Sequence, residues 1–399
     1  MAALDFPTSP SIGQKYPASP VAGIPTYTWD GEKWTTIGGA TSGGMAVLYD
    51  TVQTLTASQQ QQARQNIYAA PFGALAYNGL QINGAMEVSQ ENGATAVAPP
   101  QATLKYIVDS WPMYYNSATA AMQGGQSSPS GVAGLSSCIY LRANTGAPFS
   151  GASDFATIQQ SIEGYRIASL GWGTAGASPI TVAFWIQASI TGTFALAIQN
   201  STTNRSYIAD VVINAANTWE YKTVTIPGCV DGTWNNNNTV GMVLEFNFSV
   251  GSGLRAPANA WQAANYRGSV ATTNFFGVNN QQVALTGVVV LPGNEAPSAT
   301  RSPYIMRPYD QELMTCRRYW QTNNFVLSGY NVAGGAIYGS FLFSPMRAAP
   351  TVTLPGWSSS NAGGIVAGSI TNGSITMQAT ATATGAAYAA GGIVCDARL

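Results

Sequence analysis

The region from residue 180 to residue 290 alternates apolar and polar positions in one short segment after another. In residues 181–187, the side chains of Val182, Phe184 and Ile186 fall on one face, as a half-buried strand of period two requires. Four further segments follow the same rule between Gly, Pro or Asn residues, and they cover 194–198, 221–226, 242–248 and 286–290. The pattern predicts an antiparallel β-sandwich.

The same alternation places Trp185 and Gln187 on the opposite face from Phe184 and Ile186. A ring as large as that of Trp185 needs a cover, because Trp is usually mostly buried. A neighbouring copy of the chain, a hairpin near the N-terminus or a loop could supply this cover.

Composition excludes several classes of function. The 399 residues contain no His, which removes a Ser-His-Asp triad and a zinc hydrolase that uses His. Charged residues make up 8% and the net charge is −1, so the chain has neither a nucleic-acid footprint nor a basic membrane patch. A polar but uncharged surface of this kind suits sugar binding or packing against copies of the same chain.

The four cysteines, at 138, 229, 316 and 395, lack the close paired spacing of a structural zinc site. We expect them to be reduced, and we expect no bound metal and no cofactor. The N-terminal residues lack the charged start and apolar core of an export signal. No uninterrupted apolar segment is long enough to predict membrane insertion.

Several sequence segments resemble parts of the jelly-roll module of bacteriophage tail-fibre and spike proteins. They are residues 82–88, 106–111, 179–185, 214–220 and 261–266. The resemblance extends over roughly residues 78–308. It implies a module similar to carbohydrate-binding domains, carried by a homotrimer that contacts the surface of the host cell.

The first 40 residues are rich in Pro and aromatic residues. Asp30 and Gly31 between two aromatic segments predict a hairpin with a type I′ turn. The order Phe-Pro-x-x-Pro-x-x-Gly followed by Tyr-x-Trp-Asp-Gly-x-x-Trp resembles short N-terminal pieces of phage structural proteins, and a frayed leader is the alternative. The residues that the resemblance assigns to virion anchoring are Phe6, Pro7, Tyr27, Trp29 and Trp34.

Residues 55–70 carry the one clear helix signal of the first half. Thr56 or Ser58 can cap this helix, with Gln59 or Gln61 completing a capping box. The helix could be a trimer neck joined by Gln side chains, or a surface helix.

Later segments complete the predicted organisation. The Gly/Ser-rich residues 123–131 are interpreted as a loop, and apolar spacing at 313, 316 and 320 predicts about two helical turns. Residues 341–354 resemble the small C-terminal β-domain of phage fibre proteins, and residues 368–396 alternate as short strands do. The predicted divisions are a virion-anchoring module at 1–40, a linker with a short helix at 41–77, a jelly-roll β-sandwich at 78–308 and a C-terminal β-domain at 309–399.

A sugar site needs an apolar ring to stack on a pyranose and amides or carboxylates to bond its hydroxyls. Trp234 with Asn235 and Asn236, in an Asn-rich turn at the sandwich rim, fits best, and an ordinary loop whose Trp covers the core is the alternative. A second option is the set Trp261, Tyr266 and Arg267, where cation–π chemistry is possible although support of the fold is favoured.

Carboxylates provide weaker candidates. Glu163, Glu245 and Asp210 could serve as the catalytic carboxylates of a glycosidase. Their spacing in the sequence does not indicate a catalytic pair, so a solvated or hydrogen-bonded role is favoured. Glu87 could ligate a structural calcium ion, although the sequence lacks an Asp-rich loop.

The sequence therefore predicts a mainly β, non-enzymatic virion protein, a tail fibre or spike. The resemblance further implies that it assembles in the bacterial cytoplasm, forms homotrimers, joins other virion proteins through its N-terminus and engages a host surface polysaccharide with its distal β-domain. The alternatives are a head fibre or decoration protein without receptor binding and a polysaccharide depolymerase, for which the expected periodic repeat is absent from the sequence.

Overall fold

The structure is a computed structural model that describes residues 6–19, 26–36, 56–67, 69, 79–129 and 131–399. The predicted boundaries at residues 40 and 77, with much of the predicted linker, lie outside these residues. The chain divides into two compact units, Met1–Ile67 and Tyr68–Leu399.

In the first unit, three short strands pair in the order of the chain: β1 (Lys15–Tyr16), β2 (Tyr27–Trp29) and β3 (Trp34–Thr36). The predicted hairpin is confirmed, but its loop has four residues because Trp29 pairs with Trp34. The Asp30 carboxylate accepts hydrogen bonds from the backbone N–H groups of Glu32 and Lys33, both at 2.9 Å. This Asx-type turn replaces the expected type I′ turn.

Helix α1 (Ala57–Asn66) confirms the helix signal. The Gln59 backbone N–H donates to the Thr56 hydroxyl at 3.3 Å, and the Thr56 N–H donates to Gln59 Oε1 at 2.9 Å. These reciprocal bonds are the capping box predicted at one of the two alternative positions.

The second unit contains two large antiparallel sheets. The seven-stranded sheet has, in spatial order, β14 (Trp261–Gln262), β11 (Ser206–Ile213), β10 (Gly192–Asn200), β13 (Val240–Val250), β8 (Phe155–Glu163), β5 (Trp111–Asn116) and β4 (Lys105–Val108). The five-stranded sheet has β12 (Glu220–Ile226), β9 (Ile180–Ala188), β15 (Gln282–Pro292), β7 (Cys138–Thr145) and β6 (Ala121–Ser127). All five predicted strand segments lie within these strands.

The core lies between the two sheets. Phe184 of the five-stranded sheet packs edge to face on Phe246 of the seven-stranded sheet, with ring centroids 5.0 Å apart. The Trp111 indole N–H donates to the backbone carbonyls of Ile82 and Asn83, at 2.9 and 3.0 Å. Burial of alternate residues on both sheets accounts for the period-two pattern, and the predicted mainly β jelly-roll sandwich is confirmed.

One interpretation of the sequence is wrong. Residues 123–127 of the Gly/Ser-rich run are not a loop but part of β6. A Cβ atom on Gly124 would lie 2.7 Å from the Ile107 side chain, so the strand packs here only because the residue is glycine. The loop begins after Ser127.

The C-terminal part consists of two smaller sheets packed face to face. The first pairs β16 (Trp320–Asn331), β22 (Gly385–Asp396) and β18 (Thr351–Thr353), with β19 (Ser358–Ser360) also on β22. The second pairs β17 (Ala336–Leu342), β21 (Ser374–Ala381) and β20 (Ala362–Ile370). The predicted small C-terminal β-domain corresponds to these sheets.

In the described part of the second unit, the α-helices are short, namely α2 (Gly164–Ile167) and α3 (Tyr309–Arg317). Helix α3 ends before Trp320, which was predicted to be helical but begins β16 because it pairs with Asp396 of β22. Among the described residues, no helix combines the length and apolar character that crossing a membrane requires.

A joint of polar contacts connects the C-terminal sheets to the sandwich. Arg318 forms an ion pair with the buried Glu163 at 2.6 Å, and the Tyr319 hydroxyl donates to the same carboxylate at 2.6 Å. Arg347 donates to the Asn238 carbonyl at 2.9 Å, while the Asn238 amide donates to the Arg347 carbonyl at 2.8 Å.

Candidate functional site

A shallow groove of about 160 Å³ lies on the outward face of the five-stranded sheet. We call it the amide groove. Strand register explains its floor, because Gly125 pairs with Tyr140, Tyr140 with Ala284, and Ala284 with Gln187. Residues that are paired across antiparallel strands point to the same side of the sheet. Its lining residues are Ser127, Ser128, Cys138, Tyr140, Gln187, Trp219, Gln282 and Ala284.

Two half-buried aromatic residues, Tyr140 and Trp219, stand on opposite sides of this floor. The ring of Tyr140 leans over Gly125, where a Cβ atom would lie 2.6 Å from the Tyr140 hydroxyl oxygen. Trp219 and Trp185 both pack against the buried cluster of Ala85, Val132 and Leu135. Trp185 thus faces outward as predicted, and its cover includes a loop of the same chain.

Amide side chains provide the polar chemistry of the groove. Gln187 donates to the Asn217 carbonyl at 2.9 Å, which fixes the amide nitrogen and leaves the amide oxygen as an acceptor. None of the described residues that line the groove is charged. Burial raises the pKa of Cys138 to about 11, so the thiol in the floor is neutral at physiological pH. The groove is therefore suited to an uncharged ligand with hydroxyl groups.

Trp234, which was predicted at the sandwich rim, and Trp261, from the second predicted set, lie together. Their ring centroids are 5.6 Å apart, and both pack edge to face on Trp172, at 4.6 and 5.5 Å. The indole N–H groups of Trp234 and Trp261 donate to the carbonyls of Asp231 and Pro227, respectively. Trp172, which sequence reasoning missed, lies outside every strand and follows no period.

The neighbouring amides differ in exposure. The Asn235 amide donates to the Ser201 hydroxyl and to the Val240 carbonyl, at 3.1 and 3.0 Å, whereas Asn236 is exposed. Asn235 thus holds the loop to the start of β13. Its role as a sugar ligand, like that of Asn236, stays a prediction.

Tyr266 and Arg267 make a different set of contacts, on the outward face of the seven-stranded sheet. Arg267 forms a buried ion pair with Glu245 at 2.5 Å, and its guanidinium lies 4.3 Å from the Phe155 ring centroid. Tyr266 packs near Ala195. The cation–π chemistry expected of Arg267 is thus directed to a ring of its own chain, and sugar binding by this pair remains a prediction.

The other carboxylates also have partners. Burial alone would raise the pKa of Glu163, but hydrogen bonds from Arg318 and Tyr319 hold this pKa below its ordinary value. Asp210 accepts from the Ser269 hydroxyl at 2.7 Å, and Glu87 accepts from that of Ser136 at 2.7 Å. Within the described part of the chain, no group of three or more Cys, Asp or Glu side chains could hold a metal ion.

The predicted anchoring residues form an aromatic cluster in the first unit. The Phe6 ring lies 5.0 Å from that of Tyr27 and stacks on that of Trp34 at 5.1 Å. Trp29 lies 5.6 Å from Trp34, and Pro7 is half-buried. These contacts account for the aromatic spacing, whereas attachment to other virion proteins stays a prediction.

Comparisons with known proteins find similarity in structure only. No family model and no curated protein sequence matches the chain. The enzymatically active domain of tailspike protein 4 of bacteriophage CBA120 is 12% identical, with a TM-score of 0.28 over 56% of this chain and 24% of that chain. This chain therefore spans about a quarter of the tailspike structure.

Two carbohydrate-binding modules are similar at the same level. A CBM4 module is 13% identical, with a TM-score of 0.27 over 53% of this chain and 97% of that chain. A family 11 module from Clostridium thermocellum, in complex with a β-1,3-1,4-mixed-linked tetrasaccharide, is 12% identical, with a TM-score of 0.25 over 49% of this chain and 96% of that chain. At these TM-scores the similarities support no assignment of function.

Proposed function

We propose that this protein is a phage fibre or spike component that attaches the virion to the host cell by binding a surface glycan. The observation that carries the proposal is the amide groove, where Tyr140 and Trp219 flank a floor of small residues beside Gln187 and Gln282. Aromatic rings stack on the apolar faces of sugars, and amides bond sugar hydroxyls in both directions. The absence of charge from the lining favours a neutral sugar.

Other observations support a binding role over an enzymatic one. Arg318 and Tyr319 hold the pKa of Glu163 below its ordinary value, which does not suit a general acid, and Glu245 is held in a buried ion pair with Arg267. A groove of about 160 Å³ is also smaller than the roughly 300–1,000 Å³ of usual small-molecule sites. Single-site affinity would then be weak, and we propose that a homotrimer compensates by presenting three sites together.

Binding can be measured on an array of bacterial capsular and O-antigen polysaccharides. We expect the full chain to bind at least one of them, and Tyr140→Ala and Trp219→Ala each to weaken this binding about tenfold or more, roughly 1.4 kcal/mol. Trp234→Ala serves as the comparison, since its ring packs on Trp172 instead.

Three other results would contradict parts of the proposal. Loss of binding in Trp234→Ala alone would show that the sugar binds at the sandwich rim and not in the amide groove. Binding to no polysaccharide and to no bacterial surface would favour a decoration protein. Release of reducing ends from a bound polysaccharide would favour a depolymerase.

A further inference from the structure

The first C-terminal sheet has a continuous outward face, which we call the C-terminal strip. It consists of the outward-pointing residues of β16, β22, β18 and β19. Register aligns them in rows across the strands, because Thr322 and Thr353 both pair with Val394, and Ser328 and Ser360 both pair with Tyr388. The opposite face of this sheet is packed in the interior of the domain.

At the end near the sandwich, the strip forms the floor of a cleft of about 720 Å³. This volume lies within the range of sites that hold small molecules. One wall is a network of charges in which Arg398 forms ion pairs with Asp396 and with Glu91, and Glu91 also pairs with Lys105. The guanidinium of Arg398 lies 4.1 Å from the ring centroid of Tyr106. The carboxylates are thus fixed in place and balanced in charge.

The floor of the cleft carries free hydroxyl groups. Thr322, Thr351 and Thr353 are exposed, and their side chains make no hydrogen bond to any described residue. Hydroxyls can both donate and accept, whereas the carboxylates of the wall accept only. A ligand with many hydroxyl groups can form hydrogen bonds with both the threonine hydroxyls of the floor and the carboxylates of the wall.

Beyond the cleft, the strip is uncharged and carries exposed rings. Tyr388 is 45% exposed and Tyr330 is 77% exposed, with small Ala side chains beside them on β22. From Val394 to Tyr388 the strand advances six residues, or about 20 Å at roughly 3.3 Å per residue. An extended chain would therefore reach from the hydroxyl floor to the aromatic end.

The strip is also unusually poor in charge. Between residues 319 and 395 the sequence has one charged residue, Arg347, and its side chain is held in the joint. A charged polymer would find no counter-charges along the aromatic end. Because Glu91 and Asp396 are already paired with Arg398 and Lys105, the wall offers a second copy of the chain no unpaired carboxylate.

We propose that the C-terminal strip is a second carbohydrate-binding surface, separate from the amide groove, for an extended neutral oligosaccharide. The inference rests on the proposed function in one respect, that the protein binds glycans. The cleft receives one end of the oligosaccharide through Thr322, Thr353 and the carboxylate wall, and Tyr388 and Tyr330 stack on later sugar rings.

Native mass spectrometry of the full chain with maltotetraose, cellotetraose and mannotetraose tests the proposal. We expect at least one of these neutral tetrasaccharides to bind at two sites per chain. Tyr388→Ala and Thr353→Val should each remove one site or weaken it about tenfold, and Tyr140→Ala should affect the other site. The matched control is Tyr338→Ala, because Tyr338 is 70% exposed on the other C-terminal sheet.

Each other outcome overturns the proposal in a recognisable way. If a tetrasaccharide binds at one site only and Tyr140→Ala removes that binding, the amide groove remains supported as a binding site. The proposal for the C-terminal strip would then be refuted. No binding of any tetrasaccharide would refute the strip, and absence of array binding as well would refute glycan attachment. A change in the number of chains per particle in Tyr388→Ala, with sugar binding intact, would show that the strip contacts another copy.

Discussion

Gly125 illustrates how one residue decides the shape of the amide groove. It pairs with Tyr140 across β6 and β7, and the tyrosine ring occupies the space where any other residue would have a Cβ atom. Glycine weakens strands in general because it costs backbone entropy and contributes no packing. Its presence here is explained by the close approach of the ring.

We therefore expect Gly125→Ala to weaken glycan binding about tenfold on the polysaccharide array, because the ring must move away from the floor. The added Cβ would lie 2.8 Å from ring carbons, closer than real contacts allow. Gly176→Ala is the matched control, since the nearest atom to its added Cβ is 3.8 Å away. Equal affinity for the two variants would show that the ring position is irrelevant to binding.

At the scale of elements, the strands of the sandwich were predictable from the sequence and the groove was not. Period-two alternation located β9, β10, β12, β13 and β15, since each buries one face. The groove depends on register between Tyr140, Ala284 and Gln187, which are far apart in sequence and brought together only by the pairing of strands. The glycines of β6 led to the wrong prediction of a loop. They are needed because the side chains of Ile107 and Tyr140, on other strands, pack closely against this strand.

The contact between the sandwich and β16 contains a carboxyl group with a raised pKa. Burial raises the pKa of Asp109 to about 6, against the opposing effect of two hydrogen bonds from Gln90. The Gln90 side chain also donates to the Trp320 carbonyl at 2.9 Å. Titration of Asp109 therefore acts on the place where the C-terminal sheets meet the sandwich.

The sign of the pH effect follows from proton uptake. An Asp side chain in the unfolded chain has a pKa of about 3.9. Between about pH 4 and pH 6 the Asp109 carboxyl is therefore protonated in the folded chain and ionised in the unfolded chain. The stability from Asp109 is present at low pH and is lost as the pH rises through this window. Relative to Asp109→Asn, the wild type should lose ~2–3 kcal/mol of unfolding free energy between pH 4 and pH 7. Denaturant unfolding at both pH values measures this, and a constant difference would contradict it.

At the scale of the whole molecule, charge is distributed unevenly. Glu163, Arg318, Arg347 and Arg398 hold the joint, whereas the C-terminal sheets themselves are almost free of charge. Large uncharged surfaces are typical of proteins whose copies assemble. The proposed homotrimer places uncharged surfaces outside the C-terminal strip beside one another.

Light scattering during size-exclusion chromatography tests this assembly. We expect a particle of about 125 kDa, three times the chain mass of 41.6 kDa. Because obligate interfaces are mainly apolar, the mass should be insensitive to salt between low and high ionic strength. A particle of one chain mass at all concentrations would refute the homotrimer.

The joint between the sandwich and the C-terminal sheets also has a mechanical meaning. If the protein is anchored in a virion through its N-terminus and holds a glycan on the C-terminal strip, tension between the two would pass through Glu163, Arg318, Asn238 and Arg347. These bonds connect the C-terminal sheets to the sandwich at more than one point. A joint with several such bonds would resist tension better than a joint with a single bond.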